Sequence, residues 1–359
     1  MLFIPHKHLY ISGTSYVSAD EPDYKEVITD ANSRRRMGRL LKMAVWCGLK
    51  SLDGVPSERV AGIITSTGAG FMKDTISFGS SIFDREETLL NPSPFMQSTF
   101  NTASGYIALI RKIHAYNTTY VQRADGFAAS LVDAAMLLDD AGEGNVALVG
   151  AFDEVTPEVD VIRQRLGLYR VGDGFLPLGE GAAAFLLSAA MPTDVSGSCR
   201  ATESSTGFGG NDGSESDSGR DGDANSECST GHLHESESAS WPCDEFGSES
   251  SSEPLHESGE TSSSSLNGTK DGNAALRFCG LANLSDLPKC AENPIAELFG
   301  INAGVNVISC ADHVESLGAF RSMLPVLLCK LISEQQIPDG YTAIMDDVNE
   351  DGVIVLLHK

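Results

Sequence analysis

Apolar residues fall along this chain in blocks of two kinds, short unbroken runs and longer stretches with a three-to-four-residue period. Residues 10–18 (YISGTSYVS) read as a strand breaking at Gly13, and 60–70 (VAGIITSTGAG) as a buried strand entering a glycine turn. The run 144–154 (GNVALVGAFDE) is the uninterrupted apolar kind found in sheets covered on both faces. In 34–52, Met37, Leu40, Leu41, Ala44, Val45 and Gly48 share one face at i, i+3, i+4, i+7 spacing, which predicts an amphipathic helix. A second helix is predicted over 104–116. Residues 118–130 (TTYVQRADGFAAS) read as a strand turning sharply into a helix that carries Phe127, Leu131, Ala134, Leu137 and Leu138 before Gly142. Later come a strand at 305–311, a helix over 316–335 and a last strand at 352–359. Strands alternating with helices imply an α/β layered fold.

One long stretch breaks this rhythm. From Asp194 to Asp271 there are 17 acidic residues against 3 basic ones, so −14 of the chain's net charge of −25 lies there. The stretch is rich in Ser and Gly and has no apolar period to fold around, so it cannot offset the entropy of ordering it. We read 192–273 as a disordered acidic insertion. Cys228, His232, His234 and Cys243 lie within it at a spacing that matches no zinc pattern, so no metal is expected. The glycine cluster 207–212 has no strand before it and no helix after it, so it does not read as a phosphate loop.

The remaining composition narrows the possible functions. With 41% apolar residues among 359, the chain can bury a sizeable core. Its acidity argues against nucleic acid as a partner, because duplex binding begins with cations neutralising phosphates. No apolar run is long enough for a membrane span, and Met1–Tyr10 lacks a secretory signal, so a cytoplasmic protein is expected. The eight cysteines are scattered, which favours reduced thiols over a disulfide scaffold; Cys47 and Cys329 lie in apolar helical stretches as core residues. Arg34, Arg35, Arg36, Arg39 and Lys42 form a dense basic cluster that could meet an acidic carrier protein or a partner subunit, and whose plainer reading is a solvated helix face.

Several stretches, taken in order, resemble one family. YISGTSYVS is similar to the opening strand of the β-ketoacyl synthases, and RRRMGRLLKMAV (34–45) to their first long helix. TSTGAG (65–70) resembles the glycine turn after the family's next strand, NPSPFMQSTFNTASGYIAL (91–109) the segment before the nucleophile strand, and NVALVGAFDEVTP (145–157) the strand after the nucleophile helix. GDGFLPLGEGAAAFLL (172–187) resembles the Gly-Phe…Gly-Glu-Gly-Ala run and is the most specific of these motifs. The resemblance covers nearly all of 9–188 and implies a thiolase-like αβαβα fold. On this reading 1–190 is the N-terminal half and 274–359 a shortened C-terminal half, with 192–273 inserted between them.

Within the resemblance, 118–130 falls on the nucleophile elbow. There the family has a cysteine at a helix N-terminus, where backbone N–H groups and the helix dipole favour the thiolate that accepts an acyl chain. Counting back from Gly126 places Arg123 at that position; a register shifted by one places Gln122 there. Neither side chain can form a thioester. Asp125, in the first helical turn, could offset the Arg123 charge. Gly179, Glu180 and Gly181 are expected to shape a close backbone approach near the elbow.

The family's two histidines fare similarly. No His-Gly-Thr segment exists, and His313 in ISCADHVESLGAF resembles the second histidine, with Ile308 in place of the Lys and Asp312 in place of the Gly. The family's last glycine-rich Phe loop is replaced by DDVNEDG (346–352). The resemblance therefore implies a catalytically silent, chain-length-factor-like subunit paired with an active ketosynthase as a heterodimer. An acyl carrier protein is the possible further partner, no cofactor is expected, and polyene, polyketide or fatty-acid-like biosynthesis is the setting. Two alternatives stay open: other acyl-thioester chemistry, such as malonyl decarboxylation using Gln122 and His313, and a non-catalytic scaffold.

Overall fold

The apolar runs become strands. In the computed structural model, which describes residues 1–122, 125–142, 144–191, 275–349 and 352–359, the runs from the sequence form most of one mixed sheet. In the N-terminal half the strands are β1 (Leu2–Phe3), β2 (Leu9–Val17), β3 (Val60–Thr67), β4 (Tyr116–Val121), β5 (Val146–Asp153), β6 (Arg170–Val171), β7 (Gly174–Phe175) and β8 (Gly181–Ser188). The C-terminal half adds β9 (Arg277–Asn283), β10 (Val305–Ser309), β11 (Tyr341–Met345) and β12 (Val353–His358). The helices are α1 (Ala31–Arg36), α2 (Arg39–Ser51), α3 (Met72–Asp84), α4 (Pro92–Gln97), α5 (Thr102–Arg111), α6 (Asp125–Asp140), α7 (Pro157–Leu166), α8 (Pro294–Leu298), α9 (Val314–Leu317) and α10 (Met323–Ser333). The acidic segment 192–273, with its cysteines, histidines and glycine cluster, lies outside the described residues.

The strand order is β10-β11-β12-β9-β2-β8-β5-β3-β4, with β4 and β10 at the two ends. β3 runs parallel to both β4 and β5, and β5 antiparallel to β8. Every residue of β5 and of β8 is buried, as the unbroken apolar run predicts. Their side chains alternate between two cores. Val146, Leu148 and Phe152 of β5 join α2 and α5 on one face, while Ala147, Val149 and Ala151 join α6 and α10 on the other. The α6/α10 core also takes Val353, Val355 and Leu357 of β12, whereas Ile354 and Leu356 pack with Ile295 and Phe299 around α8. Helices α6 and α10 are therefore sandwiched between the two halves of the sheet, and the layers run helix, sheet, helix, sheet, helix.

Among the described residues, the C-terminal part of the sheet holds one strand fewer than the N-terminal part. In the N-terminal half β3 separates β4 from β5, whereas β10 pairs directly with β11 through Val305–Ser309. Among the described residues, no helix is long and apolar enough to cross a membrane.

Three helices differ from their expected bounds. The helix expected over 34–52 is two helices, because the Gln97 side chain takes the Gly38 N–H (2.8 Å) and donates to Arg36 O, interrupting the ladder. The helix expected over 104–116 starts at Thr102 and stops at Arg111, where Lys112 turns left-handed (φ 55°) and frees the chain to enter β4. The helix expected over 316–335 is broken at 318–322, where Ala319 donates to Pro177 O (2.8 Å) and forms a parallel bridge with Leu178. Backbone pairing outside the helix wins there over the local apolar spacing.

Candidate functional site

The strand-to-helix elbow is present. β4 ends at Val121, α6 begins at Asp125, and Gln122 lies exposed between them. Arg123 lies outside the described residues, as does the Asp125 side chain, so their expected pairing lies outside them too. Gly126 is buried against β3, and a Cβ there would meet Ser66 Cβ at 3.5 Å, ordinary contact distance. Sterics alone therefore do not demand glycine at 126.

The Gly179–Gly181 turn makes a close backbone approach. Its partner is the loop after α9: a Cβ on Gly179 would stand 1.9 Å from Leu317 O, and the Gly179 N–H donates to Ala319 O (3.2 Å). Gly181 opens β8 opposite Asp153, on the strand two places from β4. Glu180 is an ion-pair acceptor: it binds Arg39, which also binds Glu21, and it accepts the Val155 N–H (3.2 Å). The basic cluster is thereby divided. Arg39 is engaged in the fold, Arg34 donates to Ile28 O and Arg35 to Asn32 (2.9 Å), while Arg36 stands exposed.

His313 closes a 3-10 turn after β10, half-buried, with its N–H donating to Cys310 O (3.0 Å) and its carbonyl accepting from Ser316. Ile308 is half-buried within β10 and Asp312 exposed. Among the described residues no hydrogen bond joins His313 to Gln122.

What the sequence reasoning missed lies between these segments. Asp153, last residue of β5, is 5% exposed and collects four donors. Its Oδ1 accepts from Thr67 Oγ1 (3.1 Å), Gly68 N (2.9 Å) and Ala69 N (3.2 Å), and its Oδ2 accepts from Ser322 Oγ. Burial raises its pKa, and the four donors pull it back part of the way. One carboxylate thus ties the glycine turn after β3 to the start of α10. The only hint in the sequence was an acidic pair, Asp153-Glu154, ending an otherwise apolar run.

A second buried aspartate stands at the matching place in the C-terminal half. Asp346 follows β11 and accepts from the Asn349 N–H (3.2 Å) and from its side-chain amide (2.7 Å), while Asn349 accepts from Tyr169 Oη (2.8 Å). This network occupies the DDVNEDG segment. Burial pushes the Asp346 carboxyl up to about 6. A folded-state value above the ordinary carboxyl value means that folding favours the protonated form. That stability is complete below about pH 4 and lost as pH rises to 6, a change of roughly 3 kcal/mol. Urea midpoints measured across this window should fall with rising pH in the wild type and fall less in Asp346→Asn; equal slopes would place the titration elsewhere.

The described cysteines offer no activated thiol near the elbow. Cys47, Cys310 and Cys329 are buried, and burial pushes their thiols up; Cys279 is raised for the same reason, and Cys290 is exposed after β9. A cavity of about 10 Å³ between α2 and the sheet, lined by Ala44, Gly48, Ala103 and Gly150, has room for about one water and none for an acyl chain.

Known proteins share this architecture. The ishigamide ketosynthase/chain length factor superposes with a TM-score of 0.58 at 12% identity, covering 98% of this chain and 99% of that one. AntDE:AntF, a type II PKS acyl-carrier protein in complex with its ketosynthase bound to the hexaketide, gives 0.57 at 13% identity over 98% and 99%. The ketosynthase ApeO in complex with its chain length factor ApeC, from Xenorhabdus doucetiae, gives 0.37 at 16% identity over 50% and 79%. The first two establish a thiolase-like fold. No curated protein matches the chain. The family described as "Beta-ketoacyl synthase, N-terminal domain" matches residues 14–195, just over half of the 359. With that match over the half that holds the β4–α6 elbow, the chain belongs to the β-ketoacyl synthase family.

Proposed function

We propose that this chain is a catalytically silent, chain-length-factor-like subunit that pairs with an active ketosynthase in the cytoplasm and shapes its acyl pocket during polyketide, polyene or fatty-acid-type biosynthesis. The observation that carries this reading is the elbow. Its strand and helix are in place, but the sequence between them, Gln122-Arg123-Ala124-Asp125, offers no thiol to take an acyl group. A frame kept without its nucleophile suits a subunit whose work is done on a partner.

Two further features support the pairing. Among the described residues β4 is an edge strand, bonded on one side to β3, and Tyr116, Asn117 and Val121 are exposed along it. An open edge with exposed side chains is a template for a strand of another chain. One structure with this fold is a ketosynthase/chain length factor pair, and another is a ketosynthase with its acyl-carrier protein, the two partners this reading requires. The half-and-insertion layout, 1–190, 192–273 and 274–359, belongs to the same proposal.

Co-expression with an active ketosynthase, followed by native mass spectrometry and acyl labelling, tests it. The expected result is a one-to-one complex with the acyl label on the partner's cysteine alone. Arg123→Cys should leave this chain without condensing activity, because the His-Gly-Thr histidine is missing as well. An acyl group bound covalently to this chain during turnover would overturn the proposal. So would carbon dioxide release from malonyl carrier protein by this chain alone, which would establish the decarboxylase reading instead.

A further inference from the structure

A half-open cavity of about 280 Å³ lies where the C-terminal ends of α2 and α5 meet the 3-10 turn Tyr24–Glu26. Its walls are tied together. Arg111, at the end of α5, donates to Leu52 O (3.0 Å) and to Val55 O beyond the end of α2, and Ser57 Oγ donates back to Arg111 O (2.7 Å). The turn is pinned by Ile28, which is buried and whose N–H donates to Tyr24 O (2.8 Å). The space is thus a fixed recess between packed elements. It falls just below the roughly 300–1,000 Å³ of sites for drug-sized ligands, which suits a smaller molecule.

The lining has three parts. Val27, Leu49 and Ile110 supply aliphatic surface, Glu26 and Asp53 two carboxylates, and Lys50 and Arg111 two cations. Opposite charges around one recess would ordinarily pair across it. Among the described residues, however, no ion pair includes Glu26, Lys50, Asp53 or Arg111. The cavity holds the two signs apart, and they cancel, in a chain whose net charge is −25.

This balance selects the ligand. A simple anion would meet Glu26 and Asp53, and a simple cation would meet Lys50 and Arg111. An uncharged apolar molecule would take water from all four groups without replacing it. One molecule that carries both charges and an aliphatic group offers each part of the wall its complement. We propose that this recess binds a small zwitterion with an aliphatic side chain, an amino acid of leucine's kind. Its carboxylate lies toward Lys50 and Arg111, its ammonium toward Glu26 and Asp53, and its side chain on Val27, Leu49 and Ile110. The site needs neither a partner subunit nor an acyl transfer, so it stands or falls apart from the silent-subunit reading.

Isothermal titration calorimetry on the full chain alone tests it, with L-leucine and three of its fragments as probes. Isocaproate keeps the carboxylate and side chain, isoamylamine the ammonium and side chain, and glycine both charges without the side chain. Leucine should bind about tenfold or more tightly than each fragment. Lys50→Gln should weaken leucine about tenfold and leave isoamylamine unchanged, while Asp53→Asn should weaken leucine about tenfold and leave isocaproate unchanged. Lys112→Gln, at an exposed position outside the lining, should change nothing. The four probes compared on the wild type judge the assignment without any variant. Failure of leucine to bind the wild type, equal binding of leucine and any fragment, or full leucine affinity in either lining variant would each overturn it.

Discussion

Asp153→Ala should destabilise the protein by about 4 kcal/mol, because it leaves the Thr67 and Ser322 hydroxyls and the Gly68 and Ala69 N–H groups without their acceptor in a site that is 95% buried. Those four donors belong to two segments far apart in sequence, the turn after β3 and the loop before α10. Losing the acceptor therefore removes a tie between elements as well as hydrogen bonds. Asp153→Asn keeps an oxygen for the three Oδ1 donors, and the Ser322 hydroxyl can rotate to accept from the new amide. It should cost only about 1–2 kcal/mol. Equilibrium urea unfolding of the three proteins separates these values, and an alanine variant within about 1 kcal/mol of the wild type would show that water replaces the carboxylate.

Gly179→Ala is expected to cost about 3 kcal/mol, since overpacking against rigid backbone cannot be relieved by a rotamer change. The obstacles are Leu317 O at 1.9 Å and Phe320 Cδ1 at 2.8 Å from the new Cβ. Relief requires moving the 317–322 loop, and that loop carries Ser322 to Asp153. The two substitutions should then be non-additive, the double variant losing less than the sum of the singles by 0.5 kcal/mol or more, roughly the coupling seen between groups in one network. Strict additivity would mean that the loop yields without disturbing the Asp153 cluster.

Much of the scaffold was readable from periodicity. β5 is an uninterrupted apolar run and is buried at every residue, and the strand-turn-helix at 118–130 is where the spacing puts it. The misread helices share a cause. Met37 and Leu40 keep helical spacing across Gly38, so nothing local announces that the Gln97 amide, some sixty positions later, captures the backbone at that point. Ser316–Ser322 likewise has the residues of a helix, and the competing bond to Pro177 is long-range. Asp153 was invisible for a related reason: a carboxylate after an apolar strand looks like the return to solvent, and only the folded chain shows four donors converging on it. Glu180 sits in a glycine-flanked turn, and nothing local announces its ion pair with Arg39, 141 positions earlier in the chain.

The bare flank of β4 bears on how the polypeptide must be made. Among the described residues its outward amides and carbonyls face no second strand, a zipper half that an extended chain arriving first can close. Synthesis without a mate should therefore yield self-paired, poorly soluble material, and simultaneous production of the proper mate should recover it. On the proposed pairing, the timing of assembly becomes a condition of folding yield as much as of activity.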